Sequence, residues 1–253
     1  MSERFSKLTI EHPEVINADR GGPVLVICDH ASNRVPAPLG DLGLSEHQLA
    51  DHIAWDIGAE AMTRALARRL NAPAVIATVS RLVVDLNREP TSPTLIPQAS
   101  DGVTVPGNSG LDDHARQSRI DAYHTPFHTA VEHQLEAMLA RGHRPVVVAM
   151  HSFTPTMDGA PRPWEVGFLY KHDPRLAHGF MDVLSNRYAF SVGDNEPYSG
   201  HELYYTMERH GQDRGLPQTT VEIRNDEIGD EAGVARWTDI MVECLTDLAR
   251  RFG

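Results

Sequence analysis

The stretch VLVICDHASNRVP, from Val24 to Pro36, places the strongest constraint on the fold of this chain. It follows a Gly-Gly-Pro turn signal, and its first five residues are apolar. A short apolar run between turn residues and a polar cluster is typical of a buried β-strand. In open α/β sheets, ligands bind beyond the carboxyl ends of the strands. His30, which directly follows this strand, is therefore a candidate for chemistry.

Further apolar runs alternate with helical patterns along the chain. Alternation of strands and helices favours an α/β fold, and we predict a three-layer α/β/α single domain over residues 1–253 with a central mixed, mostly parallel sheet. Residues 1–22 are expected to form a lead-in segment, and residues 89–110 a long loop near the site. The other predicted strands are 74–79, 146–150, 165–170, 189–192 and 218–223, and the predicted helices are 45–70, 112–141, 174–188, a short one after 206, and 230–252.

Charge and cysteine content restrict the partners and the compartment. The formal net charge of -12 argues against nucleic acid or an anionic membrane as the main partner. Two cysteines cannot form a disulfide framework and suit a reducing compartment. The N-terminal residues show no apolar signal segment, and no run approaches the ~20 apolar residues of a membrane span. We therefore expect a cytoplasmic protein, whose oligomeric state the sequence leaves open.

The apolar run at residues 146–150 ends at His151, which repeats the layout of the first strand. Two imidazoles and one carboxylate form the ligand set of catalytic zinc. Asp56 is the candidate carboxylate, because the predicted helix would turn it toward the buried side. The alternative is a buried Asp that caps a loop or pairs with an Arg. Other candidates for the third ligand are Asp29, Asn33 and His52.

Glu222, at the end of the last predicted strand, is a candidate general base. Zinc lowers the pKa of bound water toward ~7, and a nearby carboxylate can accept the proton that this water loses. The alternative is a salt bridge from Glu222 to Arg224 or Arg209. Cys28 is a second candidate nucleophile beside His30, but its place inside the apolar run favours a buried, inert thiol.

Three residues between the second strand and the long loop suit an anionic substrate. The fork of an Arg side chain can hold a carboxylate through two hydrogen bonds, which assigns Arg88, with Asn87 as an additional donor, to substrate binding. Arg81 can polarise a carbonyl and stabilise an oxyanion. Each Arg, taken alone, is more often a surface or structural residue. The histidines of the 112–141 helix are expected to be solvated or structural, since Pro126 interrupts their one i,i+4 pair.

Five motifs together resemble the N-formylglutamate amidohydrolase family, especially its shorter members: CDHASNRVP, HIAWDIGA, SRLVVDLNREP, MHSF and TVEIRND. The family is similar in architecture to zinc carboxypeptidases and aspartoacylase-like deacylases. The resemblance implies Zn²⁺-dependent hydrolysis of a small anionic N-acyl amino acid such as N-formyl-L-glutamate. It implies metal ligation by His30 and His151 and catalysis by Glu222. Substrate contacts are expected from Ser32, Asn33, Asn87, Arg88 and Arg224.

One position departs from the pattern of the related deacylases. Those enzymes take a carboxylate ligand three residues after the first His, where this chain has Asn33. We therefore expect Asp56 to supply the carboxylate. Two alternatives stay open: a hydrolase of a different N-acyl or amide substrate, and a metal-free binder of a small carboxylate ligand that uses Arg81, Arg88 and Arg224.

Overall fold

A seven-stranded sheet forms the centre of the fold in the computed structural model, which describes residues 8–20 and 22–252. The strands are β1 (Glu14–Ile16), β2 (Val24–Cys28), β3 (Ala74–Ile76), β4 (Ala99–Ser100), β5 (Val103–Thr104), β6 (Val146–Phe153), β7 (Thr156–Met157), β8 (Ala160–Pro161), β9 (Val166–Leu169), β10 (Val192–Asp194) and β11 (Gln218–Arg224). The order in the sheet is β1-β3-β2-β6-β11-β9-β10. Within this sheet, as the described residues form it, only β1–β3 and β9–β11 pair antiparallel, and the hairpins β4–β5 and β7–β8 lie outside it. The predicted mixed, mostly parallel sheet is confirmed.

Helices cover both faces of this sheet. They are α1 (Glu46–Ala50), α2 (Ala59–Leu70), α3 (Asp113–Arg119), α4 (Thr125–Ala140), α5 (Arg175–Arg187), α6 (Tyr205–His210) and α7 (Glu231–Phe252), with a π-helical turn at Ile120–His124. None of the helices in the described residues combines the length and apolar content that crossing a membrane requires.

Alternation along the strands sends side chains into two separate cores. On β2, Leu25 and Ile27 pack in the core that contains α4, whereas Val24 and Val26 pack in the core that contains α2, α5 and α7. Successive strand residues point to opposite faces, so each central strand must be apolar on both sides. This explains the unbroken apolar runs of the sequence, and it confirms the three-layer α/β/α arrangement.

The predicted helix from Ser45 to Leu70 is wrong in its middle. Ser45 forms the predicted capping box with Gln48, but α1 ends at Ala50 and α2 begins only at Ala59. Gly58 stops a continuous helix: its φ is +84°, and a Cβ there would lie 2.3 Å from the Ile228 carbonyl oxygen. Asp56 therefore lies in a turn rather than on a helix face. Its backbone N–H donates to the His30 carbonyl at 2.9 Å.

The predicted 112–141 helix is continuous but contains the π-helical turn. The Thr125 N–H bonds to the Ile120 carbonyl, five residues earlier, and Pro126 follows at once. Because proline has no N–H to donate, the chain passes this point with one extra residue in the turn.

Two segments hold more structure than the sequence predicts. The lead-in segment contains β1, which forms the antiparallel edge of the sheet against β3. The 89–110 loop contains the β4–β5 hairpin and a 3₁₀ turn at Pro106–Asn108. Short structure was also expected from Phe5 to Ile10. Residues 5–7 of that stretch lie outside the described residues, and residues 8–10 are irregular.

Candidate active site

A cavity of about 210 Å³ lies where β2, β6 and β11 end. Seven of the ten predicted site residues line it: His30, Asp56, Arg81, Asn87, Arg88, His151 and Glu222. Parallel pairing of β6 and β11 places Glu222 directly beside His151. The His30 and His151 rings meet edge to face, with their centroids 4.9 Å apart. A larger groove of about 820 Å³ lies between α2 and α7, and it includes none of these seven residues.

Each of the two histidines lies between carboxylates. His151 Nδ1 is 2.8 Å from Asp56 Oδ2, and His151 Nε2 is 3.0 Å from Asp29 Oδ1. His30 Nε2 is 2.8 Å from Asp85 Oδ1, and His30 Nδ1 is 3.5 Å from Asp56 Oδ2. Burial disfavours the charged imidazolium, but the surrounding carboxylates outweigh it and raise the pKa of His30 and, more strongly, of His151.

The three aspartates of this cluster stay ionised despite their burial. Burial alone raises a carboxyl pKa, yet the neighbouring imidazoles hold the pKa of Asp29, Asp56 and Asp85 below the ordinary value. Arg81 adds to this effect, since its guanidinium lies 3.0 Å from Asp85 and 3.3 Å from Asp56. The cluster therefore brings ionised carboxylates, two imidazoles and a guanidinium together in a site shielded from water.

Three buried atoms in this cluster form no hydrogen bond of regular geometry among the described residues: Asp29 Oδ1 and His151 Nε2, which lie 3.0 Å apart, and His30 Nδ1. The same three residues offer one donor atom each within 4.8 Å of one another, which fits a metal ion. The other ring nitrogen of each histidine faces a carboxylate, Asp85 for His30 and Asp56 for His151. That pattern is typical of metal-binding histidines, whose second N–H is held by a carboxylate. The donor set, of two imidazoles and a carboxylate, suits zinc.

Glu222 lies next to this cluster, but its pKa is raised, whereas the pKa values of the three aspartates are lowered. Burial raises its pKa to about 7, with a further contribution from the charge of Asp56. Its Oε2 is buried and has no hydrogen-bond partner. Among the described residues, neither Arg224 nor Arg209 forms the salt bridge with Glu222 that was the alternative. A carboxyl group that titrates near neutrality can exchange a proton with a reacting group.

Three predicted substrate contacts lie outside the cavity. Arg224 pairs with Asp226 at 2.7 Å and with Glu227 at 3.3 Å, so its charge is already neutralised. Ser32 accepts a hydrogen bond from the Arg34 N–H and, like Asn33, does not line the cavity.

Asn87 and Arg88 line the cavity, and a hydrogen bond from α6 holds the Asn87 side chain. The Asn87 side-chain oxygen accepts the Thr206 N–H at 3.0 Å. The Thr206 hydroxyl donates to Asp29 Oδ2 at 2.6 Å, so α6 connects the metal-binding candidate Asp29 to the substrate-binding candidate Asn87. The Arg88 guanidinium forms no ion pair in the described part of the chain, since its one hydrogen bond goes to the Glu202 carbonyl at 3.4 Å.

Sequence reasoning missed a buried group of three histidines behind this segment. His128 Nε2 is 2.9 Å from the Leu86 carbonyl, and His124 Nε2 is 2.9 Å from the Arg88 carbonyl. A carbonyl only accepts, so each Nε2 carries the proton and His128 Nδ1 accepts from His210 Nε2 at 2.9 Å. The expected structural role of His124 and His128 matches these contacts. His210 lies on α6, so considering histidines from more than one predicted helix together could have identified it.

Acid should destabilise the fold through His210. Burial lowers the pKa of His210 to about 3, whereas an unfolded histidine titrates near 6.5. Below pH 6.5 the unfolded chain therefore binds a proton at His210 that the folded chain does not bind. The free energy of unfolding decreases as the pH falls. His210 alone should cost about 2 kcal/mol between pH 7 and pH 5. In urea unfolding, the free energy of unfolding of His210→Gln should fall less than that of the wild type between pH 7 and pH 5, by about 2 kcal/mol.

The matched control is His114→Gln, which changes an exposed histidine on α3. It should leave the pH dependence of the unfolding free energy unchanged. Equal pH dependence in wild type and His210→Gln would contradict the assignment of a neutral, buried His210.

The cysteine alternative finds no support in the site. Cys28 is fully buried, and burial raises the pKa of its thiol well above the ordinary value. A neutral, enclosed thiol is a poor nucleophile.

The chain is similar to known proteins in sequence and in fold. Residues 22–229 match the family described as N-formylglutamate amidohydrolase. The crystal structure of gene product Atu2144 from Agrobacterium tumefaciens is 37% identical, with a TM-score of 0.91 and 95% of each chain covered. The N-formylglutamate amidohydrolase from Ralstonia eutropha JMP134 is 17% identical, with a TM-score of 0.63 and 97% of this chain and 96% of that chain covered, which shows a shared fold. No curated protein matches. Because the family match spans every strand end that reaches the cavity, the chain belongs to the N-formylglutamate amidohydrolase family.

Proposed function

We propose that this chain is a zinc-dependent amidohydrolase that cleaves the amide bond of an N-acyl amino acid such as N-formyl-L-glutamate. The observation that carries the proposal is the set of three buried donor atoms, on Asp29, His30 and His151, that form no regular hydrogen bond among the described residues and lie beside a protonatable Glu222. Family membership supports the reaction class. The net charge of -12 supports a small-molecule partner rather than nucleic acid.

His30, His151 and Asp29 would hold the metal. Asp56, the carboxylate favoured from sequence, faces Nδ1 of His151 at 2.8 Å and accepts the Ser152 N–H at 3.3 Å, which suits an orienting role. We therefore prefer Asp29 as the oxygen ligand. A bound Zn²⁺ supplies Lewis-acid activation of water at neutral pH.

Glu222 would serve as the base. Its buried, unpartnered Oε2 lies in the cavity and can take a proton from the attacking water. The same carboxyl can then deliver that proton to the leaving amine, because a group with a pKa of about 7 gains and loses a proton with equal ease near neutrality.

Arg88 and Asn87 would bind the α-carboxylate of the substrate. The Arg88 guanidinium faces the cavity without an acidic partner among the described residues, and Thr206 fixes the amide of Asn87. Arg81 also lines the cavity, held between Asp56 and Asp85. From that place it would polarise the acyl carbonyl, although the two aspartates offset much of its charge.

Arg88→Ala should lower kcat/KM for an N-acyl amino acid by about 10- to 150-fold, mainly through KM, because a hydrogen-bonded charge pair is lost. The measurement is initial-rate kinetics on a substrate and on its carboxamide, which lacks the carboxylate. The carboxamide should lose less than about threefold. An equal loss on both compounds would contradict a carboxylate clamp.

A screen of N-acyl amino acids, followed by release of free amine, tests the function as a whole. Metal-free protein is prepared with a chelator and is then assayed with and without added Zn²⁺. Turnover that requires the metal supports the proposal. Binding of the substrates without turnover, and without any effect of Zn²⁺ on stability, would instead support the metal-free carboxylate binder.

A further inference from the structure

Two hydrogen-bonded routes join the candidate metal ligands to Asn87, which lines the substrate side of the cavity. The first runs through Asp85, whose Oδ1 lies 2.8 Å from His30 Nε2 and accepts the Asn87 backbone N–H at 2.9 Å. The second runs through Thr206, whose hydroxyl donates to Asp29 Oδ2 at 2.6 Å and whose N–H donates to Asn87 Oδ1 at 3.0 Å. Since Asp29 and His30 are neighbours in the chain, the two routes close a ring, and all five of its members are buried.

The Thr206 hydroxyl determines which oxygen Asp29 can offer to a metal. This hydroxyl has one hydrogen to donate. The Leu86 carbonyl is a second acceptor at 3.4 Å, but it already receives the His128 N–H at 2.9 Å, so Asp29 is the partner. With Oδ2 engaged, Asp29 presents Oδ1 toward His151 Nε2. A hydrogen bond to a ligating carboxylate fixes the orientation of that ligand.

The backbone of the same threonine determines what Asn87 offers to a substrate. The first N–H groups of a helix have no partner inside the helix, and the N-cap residue of α6 supplies no side-chain acceptor. Asn87 Oδ1 accepts the Thr206 N–H instead. Because a backbone N–H can only donate, the Asn87 atom that faces α6 is the oxygen, and the amide NH₂ is left to donate to a carboxylate.

The linking helix is attached to the same segment at both ends. His210, the last residue of α6, donates to His128, and His128 donates to the Leu86 carbonyl, each at 2.9 Å. α6 is therefore fixed near Thr206 and again one turn later, so the connection from Asp29 to Asn87 is short and stiff. Hydrogen bonds in a buried network strengthen one another. A ligand that orders one end of such a network lowers the cost of ordering the other end.

We propose that Thr206 is a positioning residue that couples metal binding at Asp29 to carboxylate binding at Asn87, so that each ligand raises the affinity for the other. This inference rests on the proposed function, which gives Asp29 and Asn87 their roles, but it concerns binding rather than turnover. Coupling between two sites is reciprocal, so one factor describes both directions. Direct contact between substrate and metal would also couple the two ligands, but that contribution would not depend on the Thr206 hydroxyl.

The experiment uses Glu222→Gln as the parent protein, so that bound N-formyl-L-glutamate stays intact. Calorimetry gives the dissociation constant of this compound for the metal-free and the Zn²⁺-loaded protein. Their ratio, the coupling factor, should be about 5- to 150-fold. Thr206→Val, added to the parent, should lower the coupling factor at least about fivefold and should weaken zinc binding about 10- to 100-fold. Thr206→Ser keeps the hydroxyl and should retain both values.

Thr246→Val is the matched control, because it removes a hydroxyl that donates to the Val242 carbonyl on α7. It should keep the coupling factor of the parent. An unchanged coupling factor in Thr206→Val, even with weaker zinc binding, would contradict the proposal. Equal losses in Thr206→Val and Thr206→Ser would also contradict it, since the hydroxyl would then not be the cause.

A second variant tests the network from the substrate side, and it serves if Thr206→Val does not fold. Asn87→Ala should weaken zinc binding in the absence of substrate by about 3- to 30-fold, although Asn87 is not a metal-binding candidate. Arg88→Ala should leave zinc binding unchanged, because Arg88 donates only to the Glu202 carbonyl among the described residues. Equal zinc affinities of the parent and Asn87→Ala would count against the coupling.

Measurements of turnover separate this inference from the proposed reaction. If the protein binds zinc and N-formyl-L-glutamate with coupling through Thr206 but releases no amine, the proposed reaction fails and the positioning role stands. If the wild type releases amine but the coupling factor does not respond to Thr206→Val, the reaction stands and the positioning role fails.

Discussion

Glu222→Gln should lower kcat by about 100- to 10,000-fold, the usual contribution of a general base, while the bound zinc content stays at the wild-type level. The substitution keeps the size of the side chain and removes its ability to accept a proton. Glu222 is buried beside His151, and its Oε2 has no hydrogen-bond partner among the described residues. The neighbouring carboxyl groups of Asp29, Asp56 and Asp85 have lowered pKa values, so they are poor replacements as the base. Steady-state kinetics together with metal analysis of the purified variant measures both quantities.

The control for this change is Glu243→Gln, which makes the same substitution at a surface glutamate that pairs with Arg187. Its kcat should equal that of the wild type. If Glu222→Gln keeps more than about a tenth of the wild-type kcat, another group acts as the base.

Asp29→Asn should abolish stoichiometric zinc binding, whereas Asp56→Asn should weaken it by about 10- to 100-fold, as expected for a residue that orients a ligand. The difference follows from geometry. Asp29 Oδ1 lies 3.0 Å from His151 Nε2, the ring nitrogen that would face the metal, and forms no regular hydrogen bond with it, whereas Asp56 is hydrogen-bonded to Nδ1 of the same ring. Competition with a chelator of known affinity measures both dissociation constants.

The opposite ranking would return Asp56 to the ligand position that the sequence favoured. Each variant should also be unfolded in urea without metal, because both remove an ionised carboxylate from a buried array of charges. A loss of zinc that follows only from unfolding would appear as a shifted unfolding midpoint.

Much of the fold follows from local patterns in the chain. The central strands are apolar on both faces and end at polar residues, and this pattern makes β2, β6 and β11 recognisable from the sequence alone. The breaks are harder to predict. The interruption between α1 and α2 depends on the approach of Ile228 to Gly58, which are 170 residues apart, and no local pattern encodes such a contact.

The placement of His30, His151 and Glu222 at one cavity was predictable, because each lies at or near the end of a strand of the same sheet. Residues that act through contacts distant in sequence were missed or misplaced. Asp85 was inside a motif that the sequence highlighted, yet its pairing with His30 spans 55 residues. The hydrogen bond between Thr206 and Asp29 spans 177 residues. Arg224 could not be excluded as a substrate contact, because the acidic partners that neutralise it, Asp226 and Glu227, are a property of the folded chain.

The π-helical turn at Ile120–His124 fixes the rotational phase of α4 relative to α3. One extra residue rotates the following helix by about 100°. Before the turn, Arg119 donates to the Asn108 side-chain oxygen. At the last residue of the turn and four residues later, His124 and His128 donate to the carbonyls of Arg88 and Leu86. Deleting one residue here would restore a regular helix but would turn one of these two sets away from its partners. The contacts of Arg119 on one side and those of His124 and His128 on the other therefore fix the number of residues in this segment. We expect natural variants of the segment to carry substitutions rather than insertions or deletions.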